Sequence, residues 1–233
     1  MASPENNVIN LRPEAPMVKP ERPCWAVYEY WVTNEKGRRL RPGVYRHGFK
    51  RVAGQDEDDA ESDTGDRPIT DEWIASPVTV AARTTNSDDG SEGRFLRLVT
   101  ENGIKEWIIP MEVFGGSGED ARRQLFGMGV IIALKRRGAF MEYLLDQRPD
   151  QVFATTCRPG WHESGAFVLP GRTIGSDKVR YQASGKGQNL FSVRGDLERW
   201  KTEIAAKCEG NPVLTLAIGC ALAGPLLSLV GVL

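Results

Sequence analysis

The stretch RFLRLVTENGIKEWIIP, residues 94–110, sets the character of the first half of the chain. Residues 94–101 read as a strand, Asn102-Gly103 as a turn, and residues 104–109 as the returning strand, stopped by Pro110. Asn-Gly is a strong hairpin signal because a two-residue loop wants φ > 0 at both central positions. A β-hairpin is therefore the anchor from which the rest is read.

Upstream, residues 24–33 (CWAVYEYWVT) are rich in aromatic and Val residues that suit a pleated surface, and predict a strand turning at Asn34-Glu35-Lys36-Gly37. Residues 73–85 predict another strand. Downstream the period changes. Ala121, Leu125 and Met128 stand at helical spacing, with Ser117 and Asp120 as a capping pair. A second helix is expected over residues 139–146. Strands follow at 151–157, 166–169 and 179–182, the first two around the turn Arg158-Pro159-Gly160-Trp161-His162. Asp196 starts a helix with Leu197, Trp200 and Ile204 on one face. Asn211 and Pro212 suit the cap and first position of the next helix. A β-rich first half, a mixed middle and a helical end make the fold class α+β.

Composition bounds the function. The 233 residues carry 30 Lys plus Arg against 31 Asp plus Glu, with 40% hydrophobic residues. These are globular values, and they exclude a collagen-like, wholly disordered or multispan membrane chain. A net charge of -1 gives no bulk argument for nucleic-acid binding. The neutrality is nevertheless a cancellation. Lys36, Arg38, Arg39, Arg41, Arg46, Lys50 and Arg51 face Glu35 alone, whereas residues 56–66 hold seven acids and no base. Four cysteines without a CxxC pair make neither a disulfide framework nor a zinc knuckle, and suit a reducing cytoplasm.

The expected organisation is a solvated tail over residues 1–22, a β-rich domain over 23–157 with an acidic loop at 54–68, a connecting α/β segment over 158–209, and the start of a further domain at 210–233. No apolar run near the N-terminus has signal-peptide length.

Tests for catalytic motifs fail. Around Gly185-Lys186 a phosphate-binding loop would need Gly and Ser or Thr where Arg180 and Gly187 stand, so residues 184–188 are expected to form a turn. Cys157 and His162 are two ligands where a closed metal site needs more. Gly115-Gly116-Ser117-Gly118-Glu119 lacks the second Gly of a nucleophile elbow. No catalytic residue, cofactor site or metal is expected in this chain.

Basic clusters remain. Arg38, Arg39 and Arg41, beside Tyr45, Arg46 and His47, suit phosphates with an aromatic stacked on a base. The alternative is a solvated hairpin whose charge meets the acidic loop. Arg136, between Lys135 and Arg137, either joins such a surface or closes a preceding helix at its negative end. Arg158 and Trp161 sit on a turn that is either a recognition tip or a wedge fixing the next strand.

No charge follows Glu209, and 15 of the 21 residues from 213 to 233 are apolar, enough to cross a bilayer. A tail anchor, a buried helix over 213–223 followed by a second after Gly224-Pro225, and a fragment of a longer chain are the three readings. Gly219, Gly224, Pro225 and Gly231 favour the buried helix.

Several blocks, in order, carry a family likeness. They are Arg22-Pro23-Cys24 through Arg41-Pro42-Gly43-Val44-Tyr45, then Trp73-Ile74-Ala75-Ser76-Pro77, Gly93-Arg94-Phe95-Leu96 and residues 107–111. Residues 158–162, Phe167-Val168-Leu169-Pro170, Gly195-Asp196-Leu197 with Trp200, Gly210-Asn211 and Ala223-Gly224-Pro225-Leu226-Leu227 follow. Over residues 22–233 the chain resembles domain-of-unknown-function family 927, mobile-element proteins that include the cassette-chromosome helicases. The resemblance implies the N-terminal, non-catalytic portion of a plasmid, phage or island replication ATPase or helicase. It also implies DNA as partner, self-association into a ring, and a cytoplasmic location without a membrane partner. ATP and magnesium would then belong to an AAA+-like domain whose P-loop would follow the equivalent of Leu233. The apolar tail would lead into its first strand.

Overall fold

The computed structural model describes residues 15–50, 68–182, 194–227 and 230–231. The acidic run at 56–66, the turn expected at 184–188 and residues 1–14 lie outside these. The chain divides into two compact units, Met1–Arg83 with Arg94–Gln151, and Thr84–Gly93 with Val152–Leu233. Both strands and helices are present, so the fold is α+β.

The first unit begins with β1 (Met17–Val18), β2 (Cys24–Tyr28), β3 (Val32–Asn34), β4 (Arg39–Leu40), β5 (Gly43–Phe49) and β6 (Ile69–Ala75). The single strand expected over 24–33 is two, split at Glu29-Tyr30-Trp31, and the halves join different sheets. β2 pairs antiparallel with β5, which pairs antiparallel with β6. β3 lies between β1, parallel to it, and β4, antiparallel. Residues 15–22 are thus not all tail: Met17 pairs with Thr33 and Val18 with Asn34.

The expected strand over 73–85 is also two, β6 and β7 (Val78–Asn86), because Pro77 between them has no N–H to give a ladder. β8 (Glu92–Thr100) lies between β7 and β9 (Gly103–Pro110) in one sheet. Its hairpin with β9 turns differently from the two-residue expectation. Gly103 has φ 101° and no described non-glycine residue has positive φ, so Asn102 does not. This matches the longer hairpin turns in which one glycine takes the left-handed position.

Two helices complete the unit, α1 (Glu119–Gly127) and α2 (Arg137–Asp146). The cap of α1 is Gly118, with φ 65°, and not the Ser117–Asp120 pair. Lys135 and Arg136 form a short 3-10 turn that precedes α2, so they stand at a helix start, where cations do not complement the dipole. The core joins Val44, Ile74, Val78, Val80, Leu96, Leu98 and Ile109 of the strands to Leu125, Phe140, Tyr143 and Leu144 of the helices. Burial pushes the Tyr143 hydroxyl well above the usual range, and it donates to the Val78 carbonyl at 2.7 Å.

Gly43 admits no side chain. A Cβ there would stand 2.1 Å from Trp73 Nε1 and 2.5 Å from the Ala75 carbonyl oxygen, in a buried position. Gly43→Ala should lower stability by about 1–3 kcal/mol, the usual cost of forcing atoms into a filled site, measured as a shift in urea midpoint.

The second unit holds β10 (Val152–Thr156), β11 (Gly160–Trp161), β12 (Phe167–Leu169), β13 (Arg172–Ile174) and β14 (Val179–Tyr181). β10 pairs parallel with β14, and β11, β12 and β13 make an antiparallel sheet. The excursion at 84–93 is fastened here. The Asp88 carboxylate accepts from the Cys157 backbone N–H at 2.7 Å and the Thr156 hydroxyl at 2.9 Å, and Ser87 Oγ lies 2.8 Å from His162 Nε2.

Helices α3 (Leu197–Glu203) and α4 (Pro212–Leu227) follow. Asp196 caps α3 through the Arg199 N–H, and Asn211 accepts from the Leu214 N–H at the start of α4, as their residue types predict. Leu197 and Ile204 of α3 are exposed, and no described residue of α4 is buried, whereas a buried helix is one of the three readings of its apolar run. Nor does Pro225 break α4. It lies in the last turn, and its carbonyl, one of the four a helix end leaves unpaired, accepts from Trp161 Nε1 at 2.5 Å. No helix among the described residues is long and apolar enough to cross a membrane.

Candidate nucleic-acid interface

Arg38, Arg39 and Arg41 are displayed by the β3–β4 hairpin and the residue that follows it. In register, Val32 faces Leu40 and Thr33 faces Arg39. Val32 and Leu40 are buried with Tyr45, so alternation turns Thr33 and Arg39 to the other side. Arg38, Arg39 and Arg41 are all exposed. The Arg39 guanidinium lies 4.7 Å from the centre of the Trp31 ring, and that of Arg41 lies 3.6 Å from the centre of the Trp73 ring. Stacking of this kind holds a guanidinium in place without neutralising it. No carboxylate of the described residues lies within ion-pair distance of these three arginines.

The hairpin is held from beneath by a polar network between the two small sheets. The Asn34 side-chain oxygen accepts from the backbone N–H of Lys36 at 3.0 Å and of Arg38 at 2.8 Å, closing the turn. Its amide nitrogen donates to Asp71 Oδ2 at 2.7 Å. Asp71 Oδ1 accepts from Arg22 at 2.5 Å and from His47 Nδ1 at 2.6 Å. Arg22 also meets Glu35 at 2.7 Å. His47 Nδ1 donates to the ionised Asp71 carboxylate, and the Tyr28 hydroxyl lies 3.0 Å from His47 Nε2. Burial raises the Tyr28 hydroxyl above its usual range and keeps it a donor.

Asp71 is the hub. Burial alone would raise its carboxyl, but hydrogen bonds from Asn34 and His47 and the charge of Arg22 outweigh it, and the group is held below the usual carboxylate range.

The other expected candidates stand elsewhere. Arg136 is paired with Glu72 at 2.7 Å. Arg158, in the second unit, has a side chain 85% exposed, with Nε 3.6 Å from Asp88 Oδ1. Trp161, also there, packs edge-on against Phe167 at 5.1 Å in addition to its bond to Pro225. The indole thus contributes to the unit's own packing while remaining 38% exposed.

Tyr45 and His47 are not surface partners of the arginines. They are 3% and 0% exposed, and stack on each other at 5.7 Å inside the network. The aromatic side chains at the basic surface are Trp31, with Tyr30 beside it in the chain, and sequence reading passed over both as part of a continuous strand. Their signal was the run Tyr30-Trp31 directly before Val32: an outward-facing aromatic next to the hairpin's first buried residue.

By its fold the chain is an α+β protein whose β3–β4 hairpin carries exposed arginines. The family described as Domain of unknown function (DUF927) matches residues 39–233. The chain belongs to that family. No curated protein matches it. The match takes in Arg39, Arg41, His47 and Asp71, whereas Arg22, Tyr28, Trp31, Asn34 and Arg38 precede it. This sequence holds no P-loop lysine or hydroxyl for the ATP and magnesium that the resemblance implies.

Proposed function

We propose that this chain is the non-catalytic, DNA-binding portion of a mobile-element replication ATPase or helicase, working in the cytoplasm. The observation that carries this is the β3–β4 hairpin: three exposed arginines, two fixed by stacking on tryptophan, with no carboxylate partner among the described residues. Phosphates are the ligand such a surface lacks. The likeness to cassette-chromosome helicases supports the replication context. Arg158 is a secondary contact on this reading, and Arg136 contributes less because Glu72 already neutralises it.

Binding of a DNA oligonucleotide to the purified chain across a salt series tests the proposal. If the three arginines each neutralise one phosphate, log affinity falls with log salt at a slope of about −2.7, or roughly 40-fold between 50 and 200 mM. Binding that is absent, or insensitive to salt, overturns it. The same preparation should hydrolyse no ATP.

A second reading, assembly, is favoured by α4. Val213, Leu216 and Leu222 are exposed along one apolar helix. Self-association into a ring would cover them, and light scattering of the purified chain would show it.

A further inference from the structure

Resting on the nucleic-acid reading above, we propose that the β3–β4 hairpin takes single-stranded nucleic acid, with Trp31 and Tyr30 stacking on unpaired bases while Arg38, Arg39 and Arg41 hold the neighbouring phosphates. The aromatic residues point to it. Tyr30 is 76% exposed and Trp31 46% exposed. The remaining tryptophans of the unit, Trp25, Trp73 and Trp107, are packed against its cores. Tyr30 makes no hydrogen bond or ring contact among the described residues. Two adjacent large rings left in solvent are a cost unless something covers them.

The surroundings select the ligand. Trp31 carries a guanidinium at 4.7 Å, so an aromatic platform and a phosphate donor are offered together, the combination that unpaired strands require. In a duplex the base faces are already stacked on one another and cannot meet such a platform. The hairpin also lacks the means to read base edges by side-chain amide. Residues 30–41 hold one, Asn34, and its groups are used by Asp71 and by two backbone N–H groups. Recognition should therefore tolerate sequence and depend on bases being present and unpaired.

Charge fits as well. Lys36, Arg38, Arg39 and Arg41 surround the turn, and the one acid among them, Glu35, is engaged by Arg22. An acidic polypeptide would satisfy the arginines equally, but it would leave Tyr30 and Trp31 uncovered.

The experiment uses the full chain and fluorescence anisotropy with three labelled probes of equal length: oligo-dT of about 12 nucleotides, its abasic counterpart and a duplex. Oligo-dT should bind about tenfold more tightly than the abasic strand, and more tightly than the duplex. In the Tyr30→Ala/Trp31→Ala variant that preference should disappear while the abasic strand still binds with its salt slope kept, since no charge is removed. A retained salt slope separates the loss of stacking from a loss of folding. Trp31→Phe, which keeps a ring, should retain most of the preference.

Equal affinity of the native chain for oligo-dT and the abasic strand overturns this inference and leaves the phosphate-binding reading standing. Displacement of oligo-dT by polyglutamate at equal charge overturns it in favour of an acidic peptide. Failure to bind any of the three probes removes both.

Discussion

Asp71→Ala should lower the stability of the chain by about 3–5 kcal/mol, read as a fall in the urea midpoint, because it breaks a buried ion network by removing one partner. The side chains of Asp71 and Arg22 are 3% and 4% exposed, and His47 is fully buried. Without the carboxylate, Arg22 keeps Glu35 and the Pro20 carbonyl but loses its buried anion, His47 Nδ1 loses its acceptor, and Asn34 loses the anchor of its amide. The size comes from what is left unpaired and not from any large net worth of the pair, which desolvation largely offsets. The sign of the pH dependence follows from the lowered Asp71 carboxyl. Its contribution is present above the unfolded carboxylate value of about 3.9, and is lost as pH falls through the still lower folded value. The gap between native and variant chains should be widest near neutrality and close as the pH drops below about 4. A gap that held constant into acid would show that Asp71 is not held as an ion.

Such a network was half legible in the residues. Period-2 alternation in GVYRHGF puts Tyr45 and His47 on the face opposite Arg46, and that is where they lie. Which face is covered was not legible. It depends on a second layer made from Met17–Val18, Val32–Asn34 and Arg39–Leu40, strands of two or three residues that show no periodicity of their own. The same short strands explain why residues 24–33 read as one element: Glu29-Tyr30-Trp31 contains no Gly or Pro to mark the crossing from one sheet to the other. The hairpin at 94–110 and the helices at 119 and 137 were readable because their signals are local. Pro77 was a readable break within a run otherwise rich in β-formers. For α4 the residues named the cap, whereas a run without charge specifies that a face seeks cover but not where the cover is.

The largest functional effect is expected from removing the three arginines together. Arg38→Ala/Arg39→Ala/Arg41→Ala should reduce the salt slope of DNA binding by about 2–3, one unit for each phosphate no longer neutralised, and weaken binding in low salt by more than tenfold. Stability should change little at Arg38, which is exposed and has no ion-pair partner among the described residues. It should change by about 0.5–1 kcal/mol for each of the two stacked guanidinium groups. Arg136→Ala provides the contrast. Its charge is already matched by Glu72 at 2.7 Å, so removing it deletes a pair and not a free cation. The slope should then move by well under one unit. If the triple variant and Arg136→Ala shift the slope alike, the chain binds DNA through its general field and the hairpin has no special part. If the triple variant alone collapses it, the three arginines act as a unit. In that case Asn34→Ala, which releases the Lys36 and Arg38 N–H groups without touching any charge, should weaken binding with the salt slope kept.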